Sequence, residues 1–241
     1  MSVRCVIFDI GGTLLMDEKA ECDAIMAGVE WSEIIKWGYR VSKEKYIVAA
    51  TSVQEKYKTI YYSRRTNLRL SKMILRKLGV PVKNELARNM NESFIKYKKN
   101  NIFPPRGVEK VLQSLKNNNI TLSIVSNTLT RRSVDRLEKL NLLHYFDQII
   151  LSFEVGVSKP DPKIFRILVD RLNNINNNRQ EKINFCDCIM VGNEVTDMEP
   201  AYFLGMKAVF FGNAKNKPPF SVLLSNFSDL PKIIKGWDNY S

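Results

Sequence analysis

The chain has 241 residues, 44% of them hydrophobic, and a formal net charge of +12 at pH 7. This length allows one large domain, or a core with an insertion, with ample buried apolar surface. No apolar stretch reaches the roughly 20 residues of a membrane-spanning helix, and the N-terminus lacks the basic and apolar segments of a secretory signal. We therefore expect a cytoplasmic protein that makes no contact with membranes.

The single histidine and the four cysteines limit the kinds of catalytic and metal site that the chain can form. His144 is the only histidine, so a multi-histidine metal site is excluded and any serine–histidine–acid triad would have to use it. The four cysteines form no disulfide or zinc pattern, which indicates a reducing compartment. Cys186 and Cys188 are predicted on one strand, with both side chains in the core. Chemistry is expected to depend on carboxylates, hydroxyls, lysines and a hard cation.

The positive charge is concentrated in one part of the chain. Residues 16–100 contain 18 basic and 10 acidic residues, interleaved at helical spacing. This pattern is typical of solvated helix faces, and the alternative is a positive field that attracts a small anionic substrate. The chain has no recognised nucleic-acid-binding motif, so we do not expect a nucleic-acid partner.

The first dozen residues contain the strongest functional signal. Val3–Phe8 is predicted to form a buried strand, and Asp9 follows it directly. Open α/β sheets bind ligands at the carboxyl ends of their strands, where Asp9 would lie. Gly11 and Gly12 allow a sharp turn and a close approach of the backbone to a ligand. Asp9 is therefore the first candidate for a catalytic residue.

The chain after residue 100 alternates between predicted strands and helices. Continuous apolar strands separated by helices predict a parallel sheet covered on both faces, and hence an α/β fold. The predicted strands are 120–126, 146–151, 188–191 and 208–211, and the predicted helices are 107–118, 130–140, 162–172 and 199–204.

Residues 16–100 have a different pattern, with apolar residues at helical spacing and no predicted strand. The predicted helices are Lys19–Trp37, Ser42–Tyr62, Leu68–Leu78 and Asn84–Tyr97. This segment would be an all-helical insertion that leaves the sheet beside Asp9, from where it could cover the site and exclude water.

Polar groups recur at the ends of the predicted strands. Ser126 and Asn127 end the second strand, Lys159 precedes a helix, and Asn193 and Asp197 follow the fourth strand. These positions meet at one edge of a parallel sheet. A carboxylate, a hydroxyl beside backbone amides and a lysine suit the transfer of an anionic group, and the oxygen ligands suit magnesium.

Four stretches in this order resemble the haloacid dehalogenase-like hydrolase superfamily. They are Phe8–Leu14, Val125–Asn127, Glu154–Phe165, and Val191–Asp197 with the later Leu204–Met206. The resemblance covers the chain outside the insertion. It implies a Rossmann-like catalytic core of residues 1–15 and 101–241, and a small all-helical cap of residues 16–100.

The resemblance also implies a role for each matching residue. Asp9 would be the nucleophile, forming an aspartyl-phosphate from a phosphate ester. Ser126 and the amide of Asn127 would hold the phosphoryl oxygens, and Lys159 would neutralise both Asp9 and the transferred group. Thr13 would form a hydrogen bond near the nucleophile.

The same resemblance implies a magnesium site. The ion would be held by the Asp9 carboxylate, the Gly11 carbonyl, Asn193 and Asp197. Phosphatases of the superfamily usually have an aspartate at the position of Asn193, so the ion loses a charged ligand here. The expected substrate is a small anionic molecule, and the sequence does not predict an oligomeric state.

A second departure concerns the proton donor. Phosphatases of the superfamily carry a second aspartate two residues after the nucleophile, as general acid and base, and this chain has Gly11 there. Such a group contributes about 10²–10⁴-fold in rate. In a phosphatase without it, the substitute acid would be Glu194, Asp17 or Glu18.

Three functions remain open from the sequence. The first is a magnesium-dependent phosphatase that acts on a small phosphorylated metabolite. The second is a metal-independent 2-haloacid dehalogenase, because halide leaves without a proton; Arg40, Arg64 or Arg65 would then guide the halide. Phosphonate-cleaving members also have a small residue at this position, but they need a cap lysine that the sequence does not single out. The third is a binding protein with impaired catalysis. The retained Asp9 and Lys159 favour an enzyme.

Overall fold

The computed structural model describes residues 3–17, 19–56, 64–100, 102–128, 131–175 and 182–238. The chain divides into two compact units. The first comprises Met1–Met16 and Pro104–Ser241, and the second comprises Asp17–Phe103. The divisions lie within three residues of the boundaries expected from the sequence.

Strands and helices alternate along most of the first unit, whereas helices make up most of the second. The strands of the described residues are β1 (Cys5–Phe8), β2 (Met16–Asp17), β3 (Ile102–Phe103), β4 (Thr121–Ser126), β5 (Gln148–Leu151), β6 (Cys188–Gly192), β7 (Lys207–Phe211) and β8 (Val222–Leu224). The helices are α1 (Lys19–Lys36), α2 (Lys43–Lys56), α3 (Arg64–Lys77), α4 (Asn84–Asn100), α5 (Val108–Asn117), α6 (Arg132–Lys139), α7 (Ser152–Val155), α8 (Lys163–Ile175), α9 (Val195–Phe203) and α10 (Leu230–Asp238).

A six-stranded parallel sheet forms the centre of the first unit. Its strand order is β5-β4-β1-β6-β7-β8, and every neighbouring pair is parallel. β1, β4 and β6 are buried along their whole length, as continuous apolar strands covered on both faces must be. The predicted Rossmann-like α/β fold is confirmed. Because Phe8 pairs with Ile124 and with Val191, the next residue, Asp9, lies at the carboxyl edge of the sheet.

Side chains of β1 alternate between the two faces of the sheet, as the two-residue period of a strand requires. Cys5 and Ile7 belong to a core cluster that also contains Phe165 of α8 and Met198 of α9. The ring of Phe8 packs against two other aromatic rings, those of Phe146 and Phe227, with centroids 6.1 and 6.0 Å away. This burial keeps the end of β1 in a defined position.

Several sequence-based expectations about elements are wrong. Met16–Asp17 forms a strand inside the segment predicted to have none, and it pairs with β3 in a separate two-stranded sheet. Cys186 lies in a short 3-10 helix and is exposed, whereas Cys188 is buried in β6. α9 begins at Val195 and not near Glu199, while β8 and α10 were not predicted.

Four helices make up most of the described residues of the second unit. α1 packs against α2 and α4, and α3 packs against the same two helices. Ile34, Leu75, Leu86 and Met90 are fully or almost fully buried in its core. Within the described ranges, every helix of the protein is too short or too polar to cross a bilayer.

Candidate active site

Asp9 begins a tight turn at the end of β1. Its backbone N–H donates to the carbonyl of Val191 at 3.0 Å, which extends the pairing with β6 by one residue. The carbonyl of Ile10 then accepts the N–H groups of Thr13, Leu14 and Leu15 at 2.8–3.3 Å. Asp9 is only 7% exposed, so the turn presents a carboxylate that is held by the sheet and almost surrounded by protein.

The turn packs tightly against Asn193. Gly12 has a φ of +76°, and a Cβ there would lie 2.7 Å from Asn193 Cγ, so only glycine fits. The buried Thr13 donates its hydroxyl to Asn193 Oδ1 at 3.3 Å. Gly11 differs from Gly12, because a Cβ on Gly11 would meet no atom within 4 Å and its φ is not in the left-handed region.

Lys159 joins the ends of three elements. Its ammonium donates to Asp9 Oδ1 at 2.7 Å, to the carbonyl of Val125 in β4 at 2.9 Å, and to Asp197 Oδ1 in α9 at 2.5 Å. The side chain is 2% exposed. Burial is the largest single influence on the pKa of Lys159 and lowers it, but Asp197 and Asp9 together outweigh burial and raise the pKa. The ammonium is therefore charged wherever the protein is folded near neutral pH.

Asp197 is engaged on both carboxylate oxygens. Oδ1 accepts from Lys159, and Oδ2 accepts the backbone N–H groups of Asn193 and Glu194 at 3.1 and 3.0 Å. A Cβ at Gly192 would lie 2.5 Å from Asp197 Cγ, so the carboxylate fits here because position 192 has no side chain. Burial raises the pKa of Asp197 to about 6, although Lys159 opposes this shift.

Asn127 holds the backbone of Lys159 with both ends of its amide. Asn127 Nδ2 donates to the Lys159 carbonyl, and the Lys159 N–H donates to Asn127 Oδ1, each at 2.8 Å. The next residue, Thr128, is fixed by Ser152, whose hydroxyl accepts the Thr128 N–H and donates to the Thr128 carbonyl, both at 3.0 Å. Ser126, the last residue of β4, is buried.

The structure therefore brings most of the sequence-predicted residues together. Asp9, Lys159 and Asp197 form one ion-paired group, Thr13 contacts Asn193, and Asn127 contacts the Lys159 backbone. Glu18 lies outside the described residues, as do the side chains of Asp17, Arg64 and Arg65. Val125 and Gly192 lie in stretches that resemble the family, but the sequence predicts no role in the site for the Val125 carbonyl or for Gly192. Gly192 could have been found from the rule that glycines after a strand allow close approach.

The oxygen atoms at this edge of the sheet are suited to a hard cation. Within the described part of the chain, Asp9 Oδ2 has no hydrogen-bond partner, and Asn193 Oδ1 accepts only from Thr13. Among those residues, no group of three or more histidine, cysteine, aspartate or glutamate side chains could hold a metal. One carboxylate with amide and backbone oxygens fits Mg²⁺, which keeps several waters and needs few protein ligands.

The parallel sheet, with polar groups gathered at its carboxyl edge, defines a Rossmann-like α/β protein with a candidate active site. The chain belongs to the haloacid dehalogenase-like hydrolase family, whose model matches residues 6–211. The expected family membership is confirmed.

Individual relatives match shorter segments. The chain is 36% identical over 67 residues to a phosphorylated carbohydrates phosphatase of Thermotoga maritima, covering 28% of this chain and 31% of the relative. It is 28% identical over 124 residues to the 6-phosphogluconate phosphatase of Escherichia coli, covering 48% and 52%. The chain thus spans about a third to a half of these relatives. A magnesium-bound HAD-hydrolase from Bacillus subtilis, YfnB, has the same fold, with a TM-score of 0.70 at 15% identity over 98% of this chain and 100% of that one.

Proposed function

We propose that this hydrolase is a magnesium-dependent phosphatase that acts on a small phosphorylated metabolite through a covalent intermediate on Asp9. The observation that carries the proposal is the position of Asp9, whose Oδ1 is held by Lys159 at 2.7 Å while Oδ2 has no partner among the described residues. A carboxylate fixed on one oxygen and available on the other is arranged for nucleophilic attack. The phosphatases among the relatives support this reaction class.

Each step of the reaction uses groups at the edge of the sheet. Asp9 Oδ2 attacks phosphorus, the bond from phosphorus to the leaving oxygen breaks, and water then hydrolyses the aspartyl-phosphate. The Ser126 hydroxyl and the Asn127 backbone N–H bind the phosphoryl oxygens. Lys159 stabilises their charge from a buried position, where an electrostatic interaction is stronger than in water. Asp197 keeps the ammonium in place.

A magnesium ion would be held by the Asp9 carboxylate, the Gly11 carbonyl and Asn193. Asp197 would lie next to this site, since it accepts the backbone N–H of Asn193. When bound, the ion would act as a Lewis acid that offsets phosphoryl charge. Asp197 would contribute mainly through its negative charge, because both of its oxygens already accept hydrogen bonds.

The test is phosphate release by the wild type and by Asp9→Asn, with magnesium and with excess chelator. We expect phosphate release from small phosphorylated compounds with magnesium, a loss of about 10³-fold or more in Asp9→Asn, and a hydroxylamine-labile phosphoryl group on Asp9. Equal turnover by the two proteins would rule out Asp9 as the nucleophile.

The second candidate is a metal-independent 2-haloacid dehalogenase, favoured by the open space at Gly11 where a phosphatase would place its acid. It predicts halide release from 2-chloro acids that survives chelator. Phosphate release that stops with chelator, without halide release, would exclude it. If neither product forms while ligand affinity persists, the chain is a binding protein.

A further inference from the structure

The hydrogen-bonding capacity of Lys159 is fully used inside the protein. A lysine ammonium has three N–H donors, and those of Lys159 go to Asp9, to the Val125 carbonyl and to Asp197. No donor remains for an oxygen that leaves phosphorus. Lys159 is therefore placed to stabilise charge and not to transfer a proton to the leaving group.

The carboxyl groups of Asp197 and Glu194, which follow β6, are also committed to hydrogen bonds within the protein. Asp197 accepts hydrogen bonds on both oxygens. Glu194 caps α9, since its side chain accepts the backbone N–H of Asp197 and its Oε2 accepts the Thr196 hydroxyl at 3.2 Å. Each acid near the end of β6 thus has a structural task that uses it as an acceptor.

The space beside Gly11 is the place from which a side chain could donate a proton to the leaving group, and among the described residues it is empty. It lies two residues after Asp9, it is exposed, and a Cβ there would meet no atom within 4 Å. Within the described residues of the first unit, no other side chain fills this space. Among the described side chains of the first unit, none is therefore free to act as a general acid beside the nucleophile, while the groups that bind and attack a phosphoryl group are kept.

We propose that the substrates of this enzyme are acyl phosphates, mixed anhydrides whose leaving group departs as a carboxylate without needing a proton. The proposal rests on the proposed function and specifies its substrate class. A carboxylic acid has a pKa of about 4, whereas an alcohol, like water, is a far weaker acid with a much higher pKa. An alkoxide leaving without a proton would cost the roughly 10²–10⁴-fold that a general acid supplies, and a carboxylate would not.

The reaction consumes only the acyl phosphate and one water molecule. Asp9 Oδ2 forms a bond to phosphorus as the bond from phosphorus to the acyl oxygen breaks, and the carboxylate leaves with the electron pair. Water then attacks phosphorus, Asp9 leaves as a carboxylate, and the proton of the water passes to solvent. The products are a carboxylate, inorganic phosphate and one proton.

The experiment compares acetyl phosphate with ethyl phosphate in the wild type, Gly11→Asp and Gly11→Asn. The asparagine variant is the matched control, because it adds the same volume without a carboxyl group, and the open space admits both. The quantity measured is kcat/KM, which reports the steps up to loss of the leaving group.

The wild type is expected to favour acetyl phosphate over ethyl phosphate by about 10²-fold or more in kcat/KM. The ratio of Gly11→Asp to Gly11→Asn should be about 10²–10⁴ for ethyl phosphate and close to unity for acetyl phosphate. Wild-type hydrolysis of ethyl phosphate within about tenfold of acetyl phosphate, or equal ethyl phosphate hydrolysis by the two variants, would overturn the substrate class.

These failures are distinct from failure of the phosphatase proposal itself. If Asp9→Asn hydrolyses acetyl phosphate as well as the wild type, then the nucleophilic role of Asp9 fails and the substrate class fails with it. If the wild type releases phosphate from other phosphorylated compounds in an Asp9-dependent way but not from acetyl phosphate, only the substrate class is wrong. If Asp9 is required and ethyl phosphate is hydrolysed well, only the substrate class is wrong.

Discussion

Lys159 has an acceptor from a different element for each of its N–H groups, which explains how one buried side chain organises the site. Two of the acceptors are carboxylates, so removing either would leave a buried charge incompletely compensated at a cost of several kcal/mol. The order of the motifs placed Asp9, Lys159 and Asp197 at one edge of the sheet. The amide contacts of Asn127 with Lys159 join residues 32 positions apart, and no local pattern reports such a pairing.

Two glycines of the site, Gly192 and Gly11, differ in how much space surrounds them. In Gly192→Ala the new methyl group would collide with Asp197, so we expect the free energy of unfolding to fall by about 1–3 kcal/mol. Gly11→Ala places the same methyl group in open space and should change that free energy by no more than about 0.5 kcal/mol. Urea unfolding of both variants measures the difference, and equal effects would contradict the packing described for Gly192.

At the scale of elements, the strongly periodic helices were predictable and their ends were less so. The sequence predicts a helix that starts only near Glu199. In the structure Pro200 lies inside α9, and reciprocal contacts of Glu194 and Asp197 form the helix start. The paired strands β2 and β3 have two residues each, too few for any periodicity to appear.

The buried acid of the helical unit gives a pH-dependent stability. Glu30 is 8% exposed, and its carboxylate accepts the Tyr46 hydroxyl at 2.6 Å. Burial raises the pKa of Glu30 from 4.5 to about 7, although the Tyr46 hydrogen bond lowers it. The folded protein therefore holds this proton more tightly than the unfolded chain, so the contribution of Glu30 to stability is fully present below pH 4.5 and is lost as the pH rises through 7.

Glu30→Gln should remove this contribution to the pH dependence. The variant should be more stable than the wild type by up to about 3 kcal/mol at pH 8, where Glu30 is ionised, with little gain at pH 4.5. Urea unfolding at both pH values measures the change. In the companion variant Tyr46→Phe, which removes the hydrogen bond to the carboxylate, the loss of stability should be larger at pH 8. A gain in Glu30→Gln that is the same at both pH values would contradict a buried ionisable Glu30.

At the scale of the whole molecule, the first unit is discontinuous, because Asp17–Phe103 interrupts it after residue 16. Composition and periodicity are local signals, so they could distinguish the helical segment from the segment in which strands and helices alternate. The strand order β5-β4-β1-β6-β7-β8 depends on which crossovers pack together, and β1 lies between strands that follow it by more than 100 residues. The central position of Asp9 was therefore inferred from strand-end chemistry and not from any pairing signal.

Each unit has its own buried core. Hydrogen exchange should therefore distinguish the local opening of one unit from the local opening of the other. Leu86→Ala removes a fully buried side chain from the helical unit, and Leu112→Ala removes one from α5 of the other unit. Each change should cost about 2–5 kcal/mol. Leu86→Ala should speed amide exchange within 17–103 and leave β1, β4 and β6 protected, whereas Leu112→Ala should speed exchange in those strands and spare the helical unit. Equal loss of protection in both units from either variant would mean that the chain unfolds as one cooperative body.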